Sequence, residues 1–127
     1  MQLHGDSTKA LFQQIAEIIE DQILSGILLV DEQVYSTNQL SKLYNINPAT
    51  ARKGLNLLVD EKIIYKKRGL GMFVSEGAVD YIKNKRKNNF YDDYIVKLLK
   101  EGEKLHISKD EIIDMIKKYR GGCINEH

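Results

Sequence analysis

The only proline in the 127-residue chain is Pro48, and the residues around it limit the fold more than any others. Asn47 precedes it, and an asparagine there can cap a helix by accepting a hydrogen bond from a first-turn amide. Proline on the next position loses nothing, because the amide it lacks would have no helical partner anyway. The pattern predicts a helix over residues 47–61. Ala51, Leu55, Leu58 and Val59 form its apolar stripe, and Ala49, Thr50, Arg52, Lys53 and Asn56 form its polar front. Such a helix suits insertion into a DNA major groove, but an ordinary amphipathic surface helix has the same pattern. Its neighbours must decide.

Upstream, Ser36-Thr37-Asn38-Gln39 has capping-box spacing, with Ser36 as the cap and Gln39 able to reach back. It opens a short helix whose Leu40 and Leu43 are expected to face inward and which ends near Tyr44 and Asn45. Two short helices with a tight turn, the second presenting polar residues, make a helix-turn-helix. Downstream, Ile63 to Arg68 is β-branched and aromatic, then basic, and reads as a strand. Gly69-Leu70-Gly71 supplies a turn and Met72 to Ser75 the returning strand. The hairpin separates this arrangement from a helical bundle: a helix-turn-helix followed directly by a hairpin is a winged helix. Basic residues beside the Gly69-x-Gly71 tip would lie where a wing follows the sugar-phosphate backbone. A nucleotide-binding loop is excluded there, since the third glycine and the following helix are missing.

Residues 8–25 predict a first helix, with Leu11, Ile15, Ile18, Ile19, Ile23 and Leu24 at spacings of three and four and Gly26 ending it. Ile27-Leu28-Leu29-Val30 is expected to pack as a turn against the core, and Gln33-Val34-Tyr35 to form a short extended strand. Charge is distributed to match. The net charge is only +1, yet residues 1–41 sum to −5 and residues 42–68 to +5. The positive stretch comes from Lys42, Arg52, Lys53, Lys62, Lys66, Lys67 and Arg68. One positive face is what phosphate contacts require.

From Phe12 to Val74 the chain resembles the DNA-binding domain of the GntR family of bacterial transcription regulators. Gln14-Ile15-Ala16 and Ile23-Leu24-Ser25-Gly26 match elements of that family's first helix. Val34 to Ser41 loosely matches its "L-P-S-x-R-x-L-A" segment. Asn47-Pro48-Ala49-Thr50 through Leu58 matches its recognition helix, and Gly69 to Val74 its "G-x-G-x-F-V" wing. The resemblance implies groove-facing roles for Asn47, Pro48, Thr50 and Arg52, with a wing contact at Gly69 and its neighbours. Ser36, Thr37, Asn38, Lys53, Lys67, Arg68 and Gly71 complete the candidate DNA-binding set. Asn38 stands where the family's second helix usually has arginine, and Tyr35 where it has proline, so no operator sequence carries over.

After Ser75-Glu76-Gly77 the chain is helical in pattern, which divides it into a winged helix over residues 1–77 and a tail over residues 78–127. The fold class is α+β, mostly α. Phe90, Tyr91, Tyr94, Ile95, Leu98 and Leu99 make a strong stripe. Ser108 to Glu111 is a second capping box, opening a helix with Ile112 and Ile116 among its apolar residues. Two helices cannot bury both stripes by themselves, and an exposed stripe this rich would be an aggregation-prone patch. A dimerisation tail is therefore expected, through Phe90, Tyr91, Tyr94, Ile95, Leu98, Leu99, Ile112 and Ile116. The length resembles the short YtrA-like branch of the family, whose members control transporter operons. The run Lys83 to Lys87 reads either as a solvated helix face or as extra contacts to phosphate.

These features describe a homodimeric transcriptional regulator, a repressor in the first reading, binding a palindromic double-stranded DNA operator. A winged-helix protein–protein adaptor that binds no DNA is the alternative. Catalysis is not expected. His4, His106 and His127 are isolated, the lone Cys123 has no partner cysteine, and no nucleophile and base stand at a recognisable spacing. No metal or cofactor is expected. Tyr81, Phe90, Tyr91 and Tyr94 are candidates to line a pocket for a small-molecule effector of unknown identity, or simply core or interface residues. With 43% hydrophobic and 29% charged residues, no apolar run near membrane length and no signal peptide, the expected location is cytoplasmic.

Overall fold

The computed structural model describes residue 3 and residues 9–121, so His4, Cys123 and His127 lie outside the described residues. The chain divides into two compact units, Met1–Lys85 and Arg86–His127.

The first unit begins with α1, Leu11–Leu24, which buries Ile15, Ile18, Ile19 and Ile23 along one side. Gly26, at φ 86°, reverses the chain just after it. Of the four apolar residues that follow, only Leu28 packs on the core, while Ile27, Leu29 and Val30 are exposed. The expected inward turn is therefore corrected: the reversal, closed by a bond from the Leu28 amide to the Gln22 carbonyl at 3.0 Å, turns one side chain in and its neighbours out.

α2, Thr37–Tyr44, starts on the capping box that the spacing predicts. Ser36 Oγ accepts from the Gln39 amide at 3.1 Å, and Gln39 Oε1 accepts from the Ser36 amide at 2.8 Å. Leu40 is buried but Leu43 is 57% exposed. The inward expectation for Leu43 fails because a helix of two turns packs chiefly on α3 through one side, which Leu40 and, four residues on, the half-buried Tyr44 occupy.

α3, Pro48–Asp60, follows after a turn in which Asn45 adopts φ 54°. Its Ala51, Gly54, Leu55 and Leu58 are buried. Gly54 lets α1 approach closely: a Cβ there would stand 2.8 Å from the Phe12 carbonyl oxygen and 3.0 Å from Ile15 Cγ2.

β1, Ile64–Lys67, and β2, Gly71–Val74, pair antiparallel with Ile64 opposite Val74 and Lys67 opposite Gly71. Gln33 forms a single bridge to Phe73 on the other edge of β2, all that forms of the expected strand at residues 33–35. Period-two alternation puts Ile64 and Val74 into the core and leaves Tyr65, Phe73 and Lys67 on the outer face.

α4, Ala78–Phe90, buries Ala78 and Ile82 in the same core as α1 and α3. In the second unit a π-turn, Tyr91–Ile95, separates the end of α4 from α5, Val96–Lys104. α6, Lys109–Lys118, opens on a second full capping box, Ser108 with Glu111. Among the described residues, no helix is long and apolar enough to cross a membrane.

Candidate nucleic-acid interface

The helix-turn-helix is fixed by local bonds. Asn47 Oδ1 accepts from the Ala49 amide at 2.7 Å, so the tip of α3 is capped by the residue before its proline. Ser41 Oγ donates to the Ile46 carbonyl at 2.6 Å and ties the turn back to α2. With Ala51, Leu55 and Leu58 turned into the core, the helical period leaves Pro48, Ala49, Arg52, Lys53 and Asn56 exposed and Thr50 half-buried.

The start of α2, Arg52 and the base of the wing meet around one cleft of about 380 Å³, lined by Gln33, Val34, Tyr35, Ser36, Thr37, Asn38, Arg52, Leu55, Gly71 and Met72. Ser36, Thr37, Asn38, Arg52 and Gly71, far apart in sequence, are thus brought together. Asn47, Pro48 and Thr50 occupy the capped end of α3 and do not line it.

Two of the candidate lysines are engaged within the fold. Lys53 Nζ lies 4.3 Å from the centre of the Phe12 ring, back towards α1. Lys67 Nζ lies 4.9 Å from the Phe73 ring and 6.0 Å from Tyr65, over an aromatic pair whose rings stack at 5.9 Å. A cation held over ring faces keeps its charge outward while its stem is ordered. Arg68 and Gly69 stand exposed at the hairpin turn, where Gly69 takes φ 78°.

The wing is also tied at its base. The Tyr65 hydroxyl donates to Asp31 Oδ1 at 2.6 Å, and that bond to the carboxylate holds the tyrosine above its ordinary pKa of 10.0. Val34 N donates to the Met72 carbonyl at 2.9 Å, so the segment leading into α2 runs along β2. Gln33 Nε2 donates to the Leu70 carbonyl at 2.9 Å. The sequence predicts no role for Gln33 beyond a short strand, and no local pattern marks its contact with the wing, because its partner lies 37 positions away.

Lys85, in the middle of the basic run, donates to Glu20 and to Glu61, the latter at 2.8 Å. It is therefore not part of a free basic strip. Among the described residues no group of three or more His, Cys, Asp or Glu could hold a metal.

In the second unit Phe90, Tyr91 and Tyr94 are 53%, 62% and 63% exposed, and Leu98 and Ile116 are exposed as well. Phe90 and Tyr94 touch, with ring centres 5.3 Å apart. Ile95 and Leu99 are half-buried. Ile112 sits elsewhere: it is 6% exposed, with Cδ1 2.9 Å from where a Cβ on Gly102 would stand, so it holds α5 and α6 together. Tyr81, considered for an effector pocket, is exposed.

Comparison with known proteins points in one direction. The model described as bacterial regulatory proteins, gntR family, matches residues 11–74. An arabinose metabolism transcriptional repressor of Halalkalibacterium halodurans is 37% identical over 62 residues, 49% of this chain and 16% of that protein. The HTH-type transcriptional repressor YtrA of Bacillus subtilis is 30% identical over 78 residues, 61% of this chain and 60% of that protein. The chain therefore spans a small part of the first relative and about three fifths of the second. Among solved structures, a GntR family transcriptional regulator from Listeria monocytogenes superposes with a TM-score of 0.71 at 27% identity, covering 90% of this chain and 98% of that one. The AraR DNA-binding domain in complex with operator ORE1 matches with a TM-score of 0.52 at 27% identity, over 57% of this chain and 89% of that one.

Proposed function

The chain belongs to the GntR family of bacterial regulatory proteins, and from that premise we propose that it is a homodimeric transcriptional repressor that binds a palindromic operator. Recognition is divided between three parts. Arg52 reaches a base edge or phosphate in the major groove, with Asn47 and Thr50 adding polar contacts at the capped tip of α3. Ser36, Thr37 and Asn38 meet the adjoining backbone. Lys67, Arg68 and the glycines of the wing tip clamp the phosphates beside the groove. The observation that carries this reading is the cleft where Arg52 meets both the start of α2 and the base of the wing. The AraR structure, solved on its operator, supports DNA as the partner.

Self-association runs through the exposed aromatic and leucine stripe of residues 90–99 together with Ile116. A two-fold dimer offers two recognition helices to half-sites about one DNA turn apart, or a multiple of it. The similarity to YtrA supports placement in the short-tailed branch, with a transporter operon as the target that branch implies. The site of action is the cytoplasm.

The test is an electrophoretic shift with the DNA upstream of the chain's own gene. Arg52→Ala should lose operator affinity by about 1–3 kcal/mol, the size of one good base contact, while its oligomeric state stays unchanged. Undiminished affinity at physiological salt would remove Arg52 from the interface. No shift by the unmodified chain at any salt would favour the adaptor reading instead.

A further inference from the structure

The tip of the wing has a tether that the hairpin itself does not supply. β1 and β2 are four residues each, and a two-stranded hairpin of that length is marginal in water without outside support. Within the tip, the Leu70 amide bonds the Lys67 carbonyl at 2.9 Å, and nothing stands within 4 Å of a Cβ built on Gly69. Gln33 reaches this tip from the opposite edge of β2: its Nε2 donates to the Leu70 carbonyl at 2.9 Å, across 37 positions of sequence.

The seat fits that amide closely. A Cβ on Gly71 would lie 2.4 Å from Gln33 Nε2, so any larger residue would displace it, and the φ of 124° favours glycine independently. Gln33 is itself held in register. It bridges Phe73, and on either side the Val34 amide bonds the Met72 carbonyl at 2.9 Å and the Val74 amide bonds the Glu32 carbonyl at 3.0 Å. Three residues further on, Ser36 caps α2. One side chain thus connects the wing tip to the segment that enters the helix-turn-helix, and it lines the same cleft as Arg52 and Asn38.

We infer that Gln33 is a positioning residue for DNA recognition. It holds the wing tip at a fixed distance from α2 and α3, so that Lys67, Arg68 and Gly69 meet the backbone while Arg52 is in the groove. It acts through the tip and not by reading a base. A tip ordered in advance loses less conformational freedom on binding, which strengthens its contacts without adding any. The inference rests on the DNA-binding reading above.

Gln33→Met keeps the length of the side chain and removes the donor. The probe is a duplex selected in vitro by the unmodified chain from a random-sequence pool. The variant should bind it roughly fivefold more weakly, the worth of one net hydrogen bond. Its salt dependence should flatten by about 0.9 in slope for each wing phosphate lost. Hydroxyl-radical protection should vanish at the sugars under the wing and persist beside the recognition helix, and in the free protein the Leu70 and Gly71 amides should show lower order parameters. Gly71→Ala, which crowds the same amide from the other side, should reproduce the altered footprint. An unchanged footprint and salt slope in Gln33→Met would overturn the positioning role and leave DNA binding intact. Failure of the unmodified chain to select any duplex would overturn the DNA-binding reading, and this inference with it.

Discussion

Lys85 ties three parts of the first unit together. It leaves α4 to donate to Glu20 on α1, a carboxylate only 2% exposed, and to Glu61 at the end of α3. Burial alone would lower its pKa, but the hydrogen bonds to both carboxylates outweigh that and raise it above the ordinary 10.5. Lys85→Met takes a charged donor from a buried acceptor, so unfolding in urea should show about 1–3 kcal/mol less stability. The pH dependence has a definite sign. A raised lysine contributes fully below the unfolded value and loses its contribution as pH climbs through the folded one. Thermal midpoints of the unmodified chain should therefore fall above about pH 10.5 more steeply than those of Lys85→Met, where that loss is already complete. No periodicity marks Lys85 as different from Lys83 or Lys87, because its partners lie 65 and 24 positions away. The same holds for Lys53 over Phe12. Residues whose role is set by distant partners cannot be told from solvated neighbours by pattern alone.

At the scale of elements, the close crossing of α1 and α3 depends on Gly54. An added methyl would meet the Phe12 carbonyl oxygen, which belongs to a helix backbone and cannot swing aside. Alanine is the better helix former by about 1 kcal/mol, but the overpacking cost of about 1–3 kcal/mol wins. Gly54→Ala should lower the thermal midpoint, and a raised midpoint would mean that the helices separate freely. The elements legible in the sequence are those built from local chemistry. The Ser36–Gln39 and Ser108–Glu111 boxes, the Asn47–Pro48 helix start and the hairpin all form where their spacing predicts. Less legible were features that depend on what covers them. Leu43 has helical spacing from Leu40 but no neighbour to face, and the apolar run at residues 27–30 turns mostly outward. The π-turn at residues 91–95 falls inside a continuous apolar stripe that gave no sign of it.

The first unit carries the proposed DNA interface, and the second leaves Phe90, Tyr91, Tyr94 and Leu98 exposed. Most of the candidate interface was legible because helix period alone separates the buried side of α3 from Arg52 and its neighbours; Gln33 was not, since its bond to the wing joins residues 37 positions apart in the chain. If the tail stripe closes a dimer, Leu98→Asp buries a charge in an apolar interface, and light scattering should report a monomer that binds DNA weakly. An oligomer of unchanged mass would remove the stripe from the interface. The central claim, that two copies of this chain grip one operator through α3 and the wing, is tested most directly by titrating the chain onto its selected duplex at a series of salt concentrations. The account predicts two chains per duplex and a logarithmic affinity that falls linearly with the logarithm of salt, by about 0.9 for each phosphate contacted. One chain per duplex, or an affinity indifferent to salt, would contradict it.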